Sequence, residues 1–270
     1  MLNIVKIEAT TLPDAWFQCV YRIIEPGVAR KRLIDSGSYE GQFRLEFDFI
    51  IIHVLFPGSR PLIPDIPPGL GIPPPTDMEY IDGYFGRYLM TDVKAGNEQY
   101  TYGERLVHAP TSVISHIDRE QTFLGASGPE FVNQMEEVIE RYKKYGPGNN
   151  QMILQVGQPA DIMLKDPPCL RQIDTRIENG KLHFIIYFRS WDLWGGLPAN
   201  LGGIQLVKEY MAEEIGVEDG EMICLSKGLH LYDHCWEVAG IRRGLSAKEI
   251  AILRQVPEKE AQYENCWEKD

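Results

Sequence analysis

The feature that most constrains the fold is the apolar run at residues 42–56, with the sequence QFRLEFDFIIIHVLF. Its first half alternates between apolar and polar residues, and its second half is wholly apolar. Alternation is typical of a strand with one buried face, whereas an unbroken apolar run is typical of a strand inside a covered sheet. We therefore expect one strand here, whose end enters a buried sheet.

The rest of the chain divides into helical and extended patterns. Apolar residues recur at helical spacing in residues 12–24, 76–90, 131–145 and 201–215. In the second of these segments, Thr76 followed by Glu79 predicts a capping box. Strand patterns occupy residues 152–156, 172–178, 182–188, 222–225 and 229–232. Strands mixed with segregated helices predict an α+β fold.

The stretch at residues 57–75 is dense in proline and glycine, which predicts an extended loop. It carries apolar residues, so we expect it to pack on one domain instead of linking two. With 270 residues and 44% hydrophobic composition, the chain can bury one large core. We therefore expect a single domain over residues 1–270.

Composition argues against several classes of protein. The sequence has no apolar run of about 18 residues that could span a membrane. The first residues lack the pattern of a secretory signal, so we expect a cytoplasmic protein. Five widely spaced cysteines argue against a disulfide framework, and the lack of a CxxC pair argues against a structural metal. A net charge of -12 disfavours nucleic acid as a partner.

Cys169 is the candidate nucleophile, in the segment DPPCLRQID. Its two preceding prolines force an extended approach, so the cysteine begins a strand from a rigid turn. Most cysteines are simply packed, but a thiolate forms near neutral pH where cations lie close. Arg171 and Arg189 are the cations that the sequence offers.

Arg189 and Ser190 stand side by side at the end of a predicted strand, where a guanidinium can hold a phosphate by a forked contact. Asn200 precedes the predicted helix and is either its N-cap or a ligand for a base. An amide accepts a hydrogen bond from one ring nitrogen and donates one to an adjacent carbonyl, which matches the edge of uracil. His230 and Tyr232 alternate on a strand and share a face, where they either bind sugar hydroxyls or pack in the core.

Several motifs occur in a fixed order along the chain. They are Tyr102-Gly103, Pro167-Pro168-Cys169, Arg189-Ser190 with Asp192, Gly196-Leu197-Pro198-Ala199-Asn200 and His230-Leu231-Tyr232. In order and spacing they resemble the thymidylate synthase family. The match is specific over residues 151–237 and looser before them, and it is closest to the short synthases of archaea.

The resemblance implies a large mixed β-sheet with helices packed on one side, and a sheet face used to form a homodimer. It implies the methylation of dUMP to dTMP in a flavin-independent reaction without a metal. The one-carbon donor would be 5,10-methylenetetrahydrofolate or a methanopterin-type analogue. Cys169 would attack C6 of the pyrimidine, and C5 would then act as the carbon nucleophile.

The resemblance also implies roles for the substrate-binding residues. Arg189 and Ser190 would hold the 5′-phosphate, and Arg189 would also favour the thiolate. Asn200 would bind the base, and His230 and Tyr232 would bind the ribose.

Proton transfer and pterin binding complete the implied site. Tyr102 would lie near the site of proton transfer, and Asp192 and Gly196 would contact the pterin. The glutamate that serves the family as general base has no clear counterpart, and Glu79 and Asp82 are the candidates.

One departure from the family pattern concerns the phosphate. Two adjacent arginines that reach the partner subunit's phosphate are replaced by Asn150 and Gln151. Arg30 or Arg32, beside the DSGS loop, could take their place.

Two alternatives to methylation remain. In a pyrimidine nucleotide hydroxymethylase acting on dUMP, dCMP or CMP, water would quench the exocyclic methylene. Asparagine at position 200 favours uracil over cytosine. A nucleotide-binding relative without catalysis is the second alternative, although such a protein would not need Cys169.

Overall fold

The computed structural model describes residues 1–35, 37–66, 71–96, 98–111 and 131–255. The last cysteine, Cys266, and Ser36 of the DSGS loop lie outside these residues. Within them, no helix is both long and apolar enough to cross a membrane. The single domain and the cytoplasmic location stay predictions.

The described residues form twelve strands and seven α-helices. The strands are β1 Ile4–Ala9, β2 Arg30–Leu33, β3 Phe43–Glu46, β4 Phe49–Val54, β5 Ala109–Pro110, β6 Phe131–Val132, β7 Ile153–Gln155, β8 Leu170–Glu178, β9 Lys181–Phe188, β10 Trp191–Asp192, β11 Glu218–Ser226 and β12 Leu229–Tyr232. The helices are α1 Leu12–Ile23, α2 Met78–Tyr84, α3 Tyr102–Val107, α4 Gln134–Tyr145, α5 Gly196–Ile215, α6 Trp236–Arg243 and α7 Ala247–Gln255. A π-helical turn, Phe85–Leu89, continues α2, and a 3-10 turn, Pro159–Met163, precedes β8.

The main sheet is mixed and has the order β1-β4-β11-β9-β8-β7. Strands β1 and β4 run parallel, as do β9 and β11, and the other neighbours are antiparallel. Burial alternates along β4, β9 and β11, so one face of the sheet is covered. The long helix α5 packs on β9 and β11, and α1 packs on β1 and β4. The predicted α+β fold, with a large mixed sheet and helices packed on it, is confirmed.

The expected single strand at residues 42–56 is wrong, because two strands in different sheets share this run. Strand β3 belongs to a smaller sheet of order β10-β12-β3-β2, and β4 belongs to the main sheet. Phe47 and Asp48 separate the two strands. The Asp48 carboxylate accepts hydrogen bonds from the backbone of Asn3 and from Arg30, so it holds the chain at the crossing point between the sheets.

The predicted capping box at Thr76 is also wrong. Asp77 caps α2, and its carboxylate accepts the backbone N–H of Tyr80 at 2.7 Å. A carboxylate at this position also interacts favourably with the positive end of the helix dipole. The predicted helix at residues 131–145 begins later, at Gln134, because Asn133 caps it and the two residues before Asn133 pair with β5.

Two glycines bring α2 close to α5. A Cβ atom on Gly202 would lie 2.5 Å from Ile81, and one on Gly203 would lie 2.5 Å from Tyr84. Real Cβ atoms do not approach so closely, so a larger residue at either position would force Ile81 or Tyr84 to move. This close packing sets Tyr84 beside the first turns of α5.

Candidate active site

Cys169 lies directly before β8 and is partly exposed. Its carbonyl oxygen accepts the backbone N–H of Arg189 at 2.8 Å, which ties it to the end of β9. The next backbone N–H, that of Leu170, donates to the hydroxyl of Tyr102 at 3.1 Å. The thiol therefore stands on a backbone that is held from two sides, at a point that ligands can reach.

Arg189 grips the loop before Cys169. Its Nε lies 3.2 Å from the carbonyl oxygens of both Pro167 and Pro168, and one terminal nitrogen lies 3.0 Å from the Asp166 carboxylate. The same nitrogen also bonds to the Pro167 carbonyl. The predicted phosphate anchor thus binds its own chain. Ser190 follows it and is partly buried.

The charge state of Cys169 is the balance of four influences. Burial raises its pKa and is the largest of them. Arg189 lowers the pKa, Asp166 raises it, and Arg171 lowers it. The net direction is upward from the ordinary value of 9.0, so without a ligand the thiol is protonated at neutral pH. The two arginines favour the thiolate, as the sequence suggested, but they do not outweigh burial.

A buried cluster of charged residues joins the two elements next to Cys169. Asp161 lies 2.9 Å from Arg105 and 3.3 Å from Arg171, and it is only 2% exposed. Arg105 also donates to the carbonyl of Val156. Because Arg105 belongs to α3 and Arg171 to β8, the cluster joins the helix that carries Tyr102 to the strand that begins after Cys169.

A cavity of about 770 Å³ lies beside this arrangement. Its walls include Tyr84, Tyr88, Tyr102 and Asn200. The rings of Tyr84 and Tyr88 stack at 5.3 Å, and Tyr88 meets Tyr102 edge-on at 5.2 Å. Burial raises the pKa of Tyr88 to about 12, and the charge of Cys169 contributes to that rise, so the thiol lies within electrostatic range of this wall.

Asn200 lies inside α5, which begins at Gly196, so its interpretation as an N-cap is wrong. Its side-chain Oδ1 accepts the indole N–H of Trp191 at 3.0 Å, and its Nδ2 donates to the hydroxyl of Tyr84 at 2.9 Å. These contacts fix the orientation of the amide at the cavity wall. Each amide atom keeps one further hydrogen-bonding position, which a base can use.

His230 and Tyr232 lie on one face of β12, as predicted, with ring centroids 4.7 Å apart. The imidazole Nδ1 donates to the Gly228 carbonyl at 2.8 Å, so Nε2 of the neutral ring is an acceptor. His230 is 3% exposed, and its Nε2 has no hydrogen-bond partner among the described residues. Burial lowers its pKa, so the ring is neutral at neutral pH. A buried acceptor without a partner is expected where a ligand hydroxyl binds.

Asp192 and Gly196 build the start of α5. The Asp192 carboxylate accepts the backbone N–H groups of Trp194, Gly195 and Gly196, at 3.2, 3.0 and 2.8 Å. A Cβ atom on Gly196 would lie 3.0 Å from the Cβ of Asp192. Both residues therefore stabilise the start of α5. Their contacts with a pterin stay predictions.

The small sheet brings basic residues next to the predicted ribose site. Tyr232 pairs in register with Arg44, which pairs with Arg32. Arg32 and Arg44 both contact the buried carboxylate of Glu46 at 2.7 Å, and Arg30 pairs with Asp48. Arg32 thus lies in the same row as Tyr232, which agrees with its predicted role near the phosphate without testing it.

Only one of the two candidates for the general base lines the cavity. Glu79 lines it, whereas Asp82 is exposed and is not part of its wall. Glu98 also lines the cavity, and its charge raises the pKa of Tyr88. The sequence interpretation missed Glu98, because it lies in an irregular loop without a pattern. It also missed Tyr84 and Tyr88, although tyrosines four residues apart on a helix share a face.

The main sheet is mixed and lies under one long buried helix. The partly exposed Cys169 precedes Leu170, whose backbone N–H bonds to Tyr102 in the cavity wall. These features define a class of α+β proteins with a cysteine near a tyrosine-walled cavity. The sequence model of the thymidylate synthase family matches residues 82–258, and the chain belongs to this family.

Three relatives carry the name "Putative thymidylate synthase". The Methanosarcina acetivorans protein is 31% identical over 60% of this chain, and the alignment spans 66% of that protein, slightly less than two thirds of its length. The Methanosarcina barkeri protein is 27% identical over 89% of this chain and 95% of its own. The Methanococcoides burtonii protein is 26% identical over 86% of this chain and 91% of its own.

Proposed function

We propose that this protein methylates C5 of dUMP to form dTMP, with Cys169 as the nucleophile. The observation that carries the proposal is a partly exposed thiol one residue before Leu170, which bonds to Tyr102 in the wall of the cavity that the oriented amide of Asn200 also lines. Membership of the thymidylate synthase family supports it. The unpartnered Nε2 of His230, on the face shared with Tyr232, supplies an acceptor for a sugar hydroxyl.

The thiol of Cys169 has to ionise before it attacks C6. Arg189 and Arg171 stabilise the thiolate, whereas burial and Asp166 oppose it. Attack at C6 moves the electron pair of the C5–C6 double bond toward C5 and the oxygen on C4. The second N–H of the Asn200 amide is available to stabilise charge on that oxygen. The contacts with Trp191 and Tyr84 hold the amide in place for this task.

Tyr102 is suited to guide the proton that leaves C5. Its oxygen accepts the Leu170 N–H, so its own hydroxyl proton points away from that bond. Burial raises its pKa far above the ordinary value of 10.0, so the phenol stays protonated and donates a hydrogen bond. A donor of this kind orients a water or carboxylate in the cavity.

The cavity is suited to the planar pyrimidine ring of a reduced pterin. Stacked tyrosines offer a wall for such a ring, and Glu79 and Glu98 offer acceptors for ring N–H groups. When bound, the pterin supplies the one-carbon unit and the hydride. In this part of the reaction the tyrosines position the ring and exclude water from C5.

The uncovered face of the main sheet supports a homodimer. Ile51, Leu225 and Tyr187 are partly exposed and lie in one row across β4, β11 and β9. A row of apolar side chains on the face away from α5 is typical of a surface that a partner covers. Leu225→Glu should shift the protein toward the monomer in light-scattering measurements.

The decisive experiment is incubation of the protein with dUMP and 5,10-methylenetetrahydrofolate, followed by mass analysis of the nucleotide. A gain of one methyl group supports the proposal, and a hydroxymethyl group supports the hydroxymethylase instead. Tight binding of dUMP without any product supports a binding protein. Repeating the assay with a methanopterin-type donor distinguishes an inactive protein from one that requires another pterin.

A further inference from the structure

The carboxylate of Asp166 lies 3.0 Å from a terminal nitrogen of Arg189, three residues before Cys169. This carboxylate is 87% exposed, and the arginine side chain is 28% exposed. The remaining contacts of the guanidinium go to the carbonyl oxygens of Pro167 and Pro168. Its other terminal nitrogen makes no hydrogen bond to the described residues. Asp166 is therefore the one negative charge that this guanidinium contacts there.

The ion pair between Asp166 and Arg189 is easy to separate. An exposed ion pair contributes little to stability, because water screens both charges. A phosphate monoester carries up to two negative charges and binds a guanidinium through two parallel hydrogen bonds. The Asp166 carboxylate contacts only one nitrogen of the guanidinium, so it does not match that contact. A phosphate that approaches Arg189 would thus displace Asp166.

We propose that Asp166 is a displaceable internal anion, which occupies Arg189 in the free protein and gives way to the phosphate of the ligand. This inference rests on the proposed function only in taking a nucleotide monophosphate as the ligand. Asp166 then reduces what a phosphate gains from Arg189, because the phosphate has to displace it. A nucleoside without a phosphate does not compete for that arginine.

The contact also links phosphate binding to the nucleophile. The loop that Asp166 begins ends at Cys169. Arg189 contacts Asp166 through its side chain and Cys169 through its backbone N–H, and its guanidinium also binds the two proline carbonyls between them. The negative charge of Asp166 opposes ionisation of the thiol. Removing that charge in the free protein should make Cys169 react faster with iodoacetamide at neutral pH.

The test is calorimetric titration of dUMP, deoxyuridine and inorganic phosphate into the wild type and Asp166→Asn. We expect the variant to bind dUMP and phosphate about two- to fivefold more tightly, which is the worth of an exposed ion pair. Deoxyuridine should bind equally to both. Glu213→Gln removes one exposed charge from α5 and controls for the lower net charge, so its affinities should stay those of the wild type.

A second pair of variants tests whether the effect passes through the arginine. In an Arg189→Gln background, Asp166→Asn should no longer change the affinity for phosphate.

The inference is overturned if Asp166→Asn weakens phosphate binding, leaves it unchanged, or tightens all three ligands equally. If the wild type shows this competition but makes no dTMP, only the proposed function is wrong. If the protein converts dUMP, and Asp166→Asn changes neither its turnover nor its affinities, only the inference is wrong.

Discussion

The hydroxyl of Tyr102 accepts the backbone N–H of Leu170 at 3.1 Å, and both residues are buried. This bond joins helix α3 to the first residue of β8, directly after Cys169. It therefore fixes the distance between the wall of the cavity and the nucleophile. No water replaces the bond easily, because Leu170 is fully buried.

Tyr102→Phe should remove this bond and leave a buried N–H without a partner. We expect a loss of about 1–3 kcal/mol in the free energy of unfolding. Turnover should fall on the order of a hundredfold, because the hydroxyl also acts on the proton from C5. Urea denaturation and steady-state kinetics measure the two effects. Tyr100→Phe is the control, since its ring stacks on Tyr102 at 6.4 Å, and near-wild-type turnover is expected. Equal losses in both variants would contradict the role given to Tyr102.

Cys169→Ser should abolish turnover and leave the affinity for dUMP within about twofold, because serine keeps the shape of the site but is a far weaker nucleophile. Chemical labelling tests the same residue in the wild type. Cys224 and Cys235 are buried, and burial raises the pKa of each thiol to about 12. Peptide-level mass spectrometry should therefore find iodoacetamide on Cys169 before these two, and bound dUMP should protect it. Full activity of the serine variant would end the proposed mechanism.

Most strands of the main sheet and the helices packed on it could be predicted because their signals are local, although β1 was not among the predicted strands. Alternating burial along β9 and β11 leaves a period of two in the sequence, and α1 and α4 leave a helical period. The break inside residues 42–56 could not be predicted in this way. It depends on Asp48 binding Arg30 and Asn3, which are distant in the chain.

The site was predictable only as far as its motifs reach. The sequence identified Cys169, Arg189 and Asn200 as candidates, but not what each of them contacts. That Arg189 binds Asp166, and that Asn200 binds Tyr84, follows from packing between elements that are far apart in the chain. Single-residue patterns carry no such information, because an ion pair or an amide contact needs two positions in register.

Asn200→Asp should keep the fold and change the preferred base. A carboxylate can still accept the Trp191 indole N–H and can also accept the hydroxyl of Tyr84, so both present contacts survive. It can no longer donate to the C4 oxygen of uracil, but it can accept from the amino group of cytosine. We expect weaker turnover of dUMP and measurable turnover of dCMP, in competition assays with both nucleotides. Asn200→Ala is the control and should lose turnover of both. A variant that still prefers dUMP would show that Asn200 does not select the base.

Asp161→Asn should cost about 3 kcal/mol in the free energy of unfolding. The substitution leaves Arg105 and Arg171 without their buried counter-charge, and breaking a buried pair is far more costly than breaking an exposed one. Glu137→Gln is the matched control. It breaks the exposed Glu137–Arg141 pair, which is shorter at 2.6 Å, and should cost about 0.5 kcal/mol or less. Urea denaturation compares them, and equal costs would mean that Asp161 is not shielded from water.

The contribution of Lys208 to the free energy of unfolding should increase as the pH rises. Its side chain is fully buried on α5, and its Nζ lies 3.3 Å from Asp219. Burial lowers its pKa from 10.5 to about 8. In the unfolded chain the amine keeps its proton up to its ordinary pKa of 10.5. Between about pH 8 and pH 10.5 the unfolded state therefore binds more protons than the folded state. The free energy of unfolding from this group therefore rises with pH in that window, and below pH 8 it is constant.

Lys208→Met isolates this effect. The free energy of unfolding of the wild type, minus that of the variant, should increase by on the order of 2 kcal/mol between about pH 8 and about pH 10. Lys181→Met is the control, because Lys181 is exposed on β9 and pairs with Glu218 in water. Its difference from the wild type should stay flat over the same range. A flat difference for Lys208→Met as well would mean that the buried amine keeps its proton, and that Asp219 and the carbonyls of Gly220 and Glu221 offset the cost of burial in full.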